Sequence, residues 1–162
     1  MSQFIAGLVV VGDKTTVVYA EVPDDADAPI TILSDDSWKM QVGARGSALD
    51  YLYKRVKNFF GEHPINLIVV KGSAVTQGKA TLALLESAEA RGAVIAAAAS
   101  VTDVSVLTKA SISKSYRHKK YPKRDVDDIV DDDVFWDSEV AGTKLRKTSR
   151  EAALLILASR GS

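Results

Sequence analysis

Residues 72–81, Gly-Ser-Ala-Val-Thr-Gln-Gly-Lys-Ala-Thr, are the first in this 162-residue chain whose types and order have a chemical use. A glycine-rich loop that leads from a strand into a helix can turn its backbone N–H groups on a phosphate, and a lysine can complete the cradle. A nucleotide-hydrolysing P-loop needs four residues between its glycines and a Ser or Thr directly after the lysine to hold magnesium. Here five residues separate Gly72 from Gly78, and Ala80 follows Lys79. Triphosphate hydrolysis is therefore not expected, while a phosphate contact at the helix start stays open.

A second group is cationic. Lys109, Lys114, Arg117, His118, Lys119, Lys120, Lys123 and Arg124 are interleaved with Tyr116 and Tyr121, and cations beside aromatic faces suit a surface that tracks a nucleic-acid backbone and stacks its bases. The bland alternative is a solvated loop. An acidic run follows directly: Asp125, Asp127, Asp128, Asp131, Asp132, Asp133, Asp137 and Glu139. It can neutralise the basic run in cis. Its order lacks the spaced carboxylates, central glycine and closing glutamate of a calcium loop, so no metal site is expected in it. Val134, Phe135 and Trp136 lie inside the acidic run, and the two rings either dock a protein partner or, the favoured reading, anchor the segment on the chain's own core. His63 precedes Pro64 in a chain break and has no evident catalytic partner. Trp38 reads as a core or lid aromatic rather than a stacking platform for a ligand.

Composition sets the frame for these candidates. The chain is 46% hydrophobic and 26% charged, with 21 basic and 21 acidic residues, so no global field announces a polyanion or a membrane surface. Any nucleic-acid contact has to come from a local patch. No cysteine is present and the two histidines lie far apart in sequence, which removes disulfides, thiolate chemistry and a His-rich zinc centre. The N-terminus has no basic segment leading into an apolar one, and no apolar run is long enough to span a bilayer, so a cytoplasmic protein is expected.

The elements that must position the candidates follow from periodicity. Phe4 to Val11 reads as a strand buried on both faces, closed by Gly12-Asp13 into a hairpin with Thr15 to Val22, and Ile30 to Leu33 offers a short third strand near an edge. Leu49, Leu52, Tyr53, Val56, Phe59 and Phe60 define one face of a helix that Ser47 can cap. Ile65 to Val70 is a buried strand, Gly78 to Arg91 a helix ended by Gly92, and Val94 to Ala99 a fifth strand. A last helix starts near Thr148, which has capping-box spacing to Glu151. The expectation is a single α/β domain over residues 1–162 with a mixed five-stranded sheet, element order βββαβαβα, and a charged insertion at about 108–147.

Several stretches carry a family resemblance: Ile5-Ala6-Gly7-Leu8-Val9 running into the Gly12-Asp13 hairpin, Leu33-Ser34-Asp35-Asp36, the strand Ile65 to Val70 with Thr76-Gln77-Gly78-Lys79 after it, and the alanine-rich last helix. Together they resemble the RuvC-like branch of the ribonuclease H fold, and more closely a family of small bacterial proteins known as domain of unknown function 3010. In active relatives, carboxylates from the first strand, the end of the fourth strand and the last helix hold two divalent ions that activate water. The resemblance places those positions here at Val9, Lys71 and near Glu151, and of these only Glu151 is an acid. It thus implies a nuclease-like domain without two-metal chemistry, with no catalytic or metal-ligating residues and no cofactor, that acts by binding. The nucleic-acid contacts would come from Lys71, Lys79, Lys114, Arg117, Lys119, Lys120, Lys123 and Arg124. Two alternatives remain: a magnesium-dependent nuclease with acids relocated among Asp13, Asp50 and Glu151, and a protein-interaction module using residues 125–140 with Phe135 and Trp136.

Overall fold

A computed structural model describes residues 1–73, 78–115 and 124–160, with the side chains of residues 114 and 115 left aside. The first apolar run forms β1 (Ser2–Val11) at the middle of the sheet, and both of its faces are covered. Ile5 and Val9 point to one layer, and Ala6, Leu8 and Val10 to the other. The chain reverses at Gly12, whose φ of 60° lies in the left-handed region, and returns as β2 (Lys14–Pro23). Antiparallel β3 (Ile30–Lys39) follows, then α1 (Arg45–Glu62), β4 (Leu67–Lys71), α2 (Leu82–Ala99) and β5 (Asp103–Leu107). The sheet order is β5-β4-β1-β2-β3-β6, with β4 and β5 parallel to β1 as helical crossovers require. Helices α1 and α2 cover one face of the sheet. The other face is covered by α6 (Arg150–Ser159), with smaller elements beside it.

The structure corrects several of the expected boundaries. The sheet has six strands, because β6 (Val140–Gly142) adds a short parallel edge to the start of β3. Residues Val94 to Ala99 are the second half of α2 and not a strand, so Gly92 sits inside a helix and does not end one. Ala90, Val94, Ala97 and Ala98 are its buried face, at helical spacing, and their small side chains let α2 lie close to α1 and the sheet. A short apolar run fits either period, and here the unbroken stripe from Ser87 onward decides for the helix at the modest cost of one interior glycine. The fifth strand is Asp103–Leu107, beyond that helix.

Strand β3 also runs further than its apolar start, to Lys39, with a register shift opposite Tyr19 and Ala20 that lets Trp38 reach the α1 layer while Ile30 and Ile32 face α6. Ser47 does not cap α1; the cap position is Ala44 and makes no side-chain bond. Nor does the Thr148–Glu151 capping box form: a 3₁₀ turn over Lys147–Ser149 precedes α6, and no side chain caps that helix.

Within the segment that showed no sequence period lie α3 (Lys109–Ser115), α4 (Val126–Val130), α5 (Asp133–Glu139) and β6. Asp132 starts α5 by accepting a hydrogen bond from the Phe135 N–H at 3.1 Å. Phe135 and Trp136 are buried in the core beneath α6, and the Trp136 indole N–H donates to the Ile129 carbonyl at 2.9 Å. These rings are anchors, and their burial withdraws them as an exposed docking patch for a partner.

One contact fixes how α6 meets the sheet. Gly7 lies on the α6 face of β1, and a Cβ placed on it would fall 1.9 Å from the backbone oxygen of Ala152. Only a residue without a side chain admits the helix this close. Gly7→Ala is therefore expected to lower unfolding stability by about 1–3 kcal/mol or more, since backbone has to move to relieve the clash. Urea unfolding of the variant beside the parent chain measures it.

Candidate nucleic-acid interface

Strands β1, β3, β4 and β5 run the same way, so their C-terminal ends share one rim of the sheet, while β6, also parallel, pairs only with the start of β3. Helix α6 starts at this rim and brings Glu151 against Lys71, the last residue of β4. The two side chains form an ion pair at 23% and 29% exposure, half sheltered from water. Val9, two residues along β1 from Gly7 and on the same face, is buried and presents only methyl groups. The carboxylate that capping-box spacing assigns to the helix end is thus spent on the Lys71 ammonium.

The basic candidates are distributed unevenly. Lys79 is exposed in the loop that precedes α2, next to Gly78 at φ 128°. Lys109, at the start of α3, pairs with Asp127 at 2.6 Å. That hydrogen bond raises the Lys109 pKa above its usual value, and the charges of Asp127, Glu151 and Asp125 add to the effect. Arg124 pairs with Asp132 at 2.8 Å and donates to the Asp128 carbonyl, so part of the basic run is neutralised in cis by the acidic run, as the sequence allowed. Lys114 lies on α3, with its side chain outside what the structure describes; Arg117, Lys119, Lys120 and Lys123 fall outside the described residues altogether.

Two arginines that sequence reasoning passed over shape this rim. Arg91 reaches from α2 to donate to Ser73 Oγ at 2.6 Å and to the Val10 carbonyl at 3.2 Å, and burial lowers its pKa from the usual arginine value. Its signal was its place between Ser87 and Val94 on the buried stripe of α2. Arg146, just before the 3₁₀ turn, donates through its side chain and backbone N–H to Asp35, whose side chain is only 3% exposed. Ser149 Oγ adds a bond to the same carboxylate at 2.5 Å. Burial alone would raise the Asp35 pKa, but the hydrogen bonds from Arg146 and Ser149 outweigh it and leave the group below its ordinary value. The contact ties β3 to the turn from which α6 departs.

No family model matches this chain, and no curated protein matches it. Among solved structures it is similar to Thermus thermophilus RuvC, with TM-score 0.69 at 13% identity, covering 98% of this chain and 96% of that one. The T. thermophilus RuvC in complex with Holliday junction substrate gives TM-score 0.68 at 12% identity, covering 96% and 91%. The yeast mitochondrial Holliday junction resolvase Ydc2 gives 0.62 at 13% identity, covering 96% and 77%. The fold is RuvC-like.

The three residues to which the sequence resemblance assigns metal positions, Val9, Lys71 and Glu151, do not together fit a pair of divalent ions. Magnesium needs hard oxygen donors, and the expected positions hold a buried valine, an ammonium and one carboxylate already paired with that ammonium. Asp50 is no substitute, because it lies on α1, on the opposite side of the sheet, and pairs with Lys54 at 2.8 Å. Asp13 sits exposed at the hairpin tip. Among the described residues, no three His, Cys, Asp or Glu side chains come together as a metal cluster.

The Asp35 contact has a pH signature. Because its pKa is depressed in the folded state, its contribution to stability is complete above the ordinary value of 3.8 and is lost as pH falls through the folded-state pKa. Asp35→Asn should cost about 1.5–3 kcal/mol at neutral pH. The lower end is expected, because Arg146 is 46% exposed and its share is screened by water. Urea unfolding of parent and variant should differ at pH 7 and converge below the folded-state pKa of Asp35.

Proposed function

We propose that this chain is a RuvC-like nucleic-acid-binding domain that engages its partner without two-metal cleavage. The observation that carries the reading is the Lys71–Glu151 pair at the sheet rim. An internal ammonium occupies the position where the resemblance places an acid, and it satisfies the one carboxylate that remains. Similar solved structures include one bound to a Holliday junction, which supports a branched or duplex nucleic acid as the partner class. Lys71 contributes little net charge while Glu151 holds it, so phosphate contacts fall to exposed cations at the same rim, Lys79 first among them.

The test is binding of labelled four-way-junction, duplex and single-stranded DNA across a salt series with magnesium present, with product size checked afterwards. The expected result is affinity that falls steeply with salt and no shortened product. Lys79→Glu should weaken binding and lower the magnitude of the salt slope by about one for each phosphate the variant no longer neutralises. Cleavage that Glu151→Gln abolishes would overturn the reading in favour of a nuclease with relocated acids, and absence of binding at low salt would remove nucleic acid as the partner. A companion experiment restores the missing donors: Val9→Asp with Lys71→Glu should create manganese binding, measured by calorimetry, that the parent chain lacks.

A further inference from the structure

The face of the sheet opposite Glu151 carries a groove that none of the rim chemistry uses. It lies between the second half of β3 and α1, has a volume of about 600 Å³, and is lined by Asp36, Trp38, Tyr51, Lys54, Arg55 and Asn58. That volume is within the range of small-molecule sites, about 300–1,000 Å³. Tyr51, Arg55 and Asn58 follow one another at helical spacing on α1, so one exposed helix stripe forms a wall. The floor is Trp38, held edge-on by Phe59 at 5.5 Å between ring centres. The Arg55 guanidinium lies over the Trp38 ring at 4.6 Å. That contact places the cation over the ring while Arg55 as a whole remains exposed.

Strand β6 pairs with β3 only as far as Ile32, so the β3 backbone beside the groove has no described strand on its outer side. Ser37 borders the groove. Its hydroxyl accepts a hydrogen bond from Arg146, on the Asp35 side of the strand, at 3.0 Å.

These groups sort by chemistry. Tyr51, 43% exposed, offers a stacking surface, and the guanidinium of Arg55 is a planar group on which a base can also stack. Asp36 accepts from an exocyclic amine, Asn58 both donates and accepts, and Lys54 can exchange its exposed pairing with Asp50 for a phosphate. We propose that the groove between β3 and α1 binds a nucleotide unit, with the base stacked on Tyr51 and Arg55, its edge met by Asp36 and Asn58, and its phosphate met by Lys54. The unit is either a free mononucleotide or one unpaired residue of a strand, and both present the same base and phosphate. The groove lies three strands from β4, roughly 14–15 Å across the sheet, and on the opposite face from Glu151. It therefore stands or falls separately from the reading of the rim.

The experiment titrates the labelled chain with AMP, CMP and GMP, with short oligo-dA and oligo-dT, and with inorganic phosphate, following backbone amide shifts. Saturable shifts confined to residues 36–38 and 51–58 are expected. Tyr51→Ala and Arg55→Ala, both at exposed positions, should each weaken binding by about tenfold, the scale of one lost base stack. A control substitution on the far edge of the sheet, Asp103→Asn at the start of β5, should leave it unchanged. Saturation by mononucleotides identifies a free-nucleotide site, and saturation by oligonucleotides alone identifies a strand. The proposal is overturned if neither shifts the groove, if phosphate alone reproduces the shifts, or if both groove variants bind as the parent does.

Discussion

The rest of the molecule depends on the close approach of α6 to β1 at Gly7. Hydrogen in place of a side chain lets the Ala152 backbone rest on the strand, and the apolar run Ala152 to Leu157 then fills the layer above the sheet. The same contact sets where the N-terminus of α6 lies. Glu151 is adjacent to Ala152, so pinning one residue over β1 delivers the other to the rim where β4 ends in Lys71. Packing and site chemistry are thus linked through two neighbouring residues of one helix.

Charge on this protein is arranged locally rather than globally. The net formal charge is zero, and several cations near the α6 layer have assigned acids: Lys71 with Glu151, Lys109 with Asp127, Arg124 with Asp132, Arg146 with Asp35, and Arg150 with Asp133. Most of these pairs are at least partly open to water, where each is worth little by itself. Their combined effect is positional: they tie α3 to α4, the segment before α4 to the start of α5 and α5 to α6, while Lys71–Glu151 and Asp35–Arg146 tie α6 and the turn before it to the sheet. Asp35 is the exception in strength, because its carboxylate is buried and receives bonds from a guanidinium, a backbone amide and a hydroxyl together.

A RuvC-like frame does not itself assign an activity, since one architecture hosts many chemistries and function follows from the residues placed on it. Here the rim carries an ammonium against a carboxylate, which is the chemistry of a closed ion pair. The reverse face carries the Arg55 guanidinium over the Trp38 ring, with the exposed Tyr51 on the same wall. The two faces therefore offer different interactions to ligands.

Much of the architecture was legible from residues 1–71 alone. The doubly apolar β1, the Gly12 turn, the Thr- and Val-rich β2 and the helical stripe from Leu49 to Phe60 are local patterns long enough to fit one period only. The chemistry of Val9 and Lys71 was legible too, because an aliphatic group and an ammonium are not magnesium ligands wherever they sit. The alanines of α2, the continuation of β3 through Ser34 to Trp38 and the order within residues 124–142 were not legible, since each is settled by what packs against it. Sequence by itself determined which atoms are available: a valine at position 9, a lysine at 71, a glutamate at 151, no cysteine, a glycine at position 7. Only the tertiary structure decided which of them meet, bringing Glu151 to Lys71, Asp35 to Arg146 and Arg55 to Trp38. The physical reason is that ion pairs and ring stacks act over a few ångströms, and partners as far as 111 residues apart come within that range only after the helices have packed on the sheet.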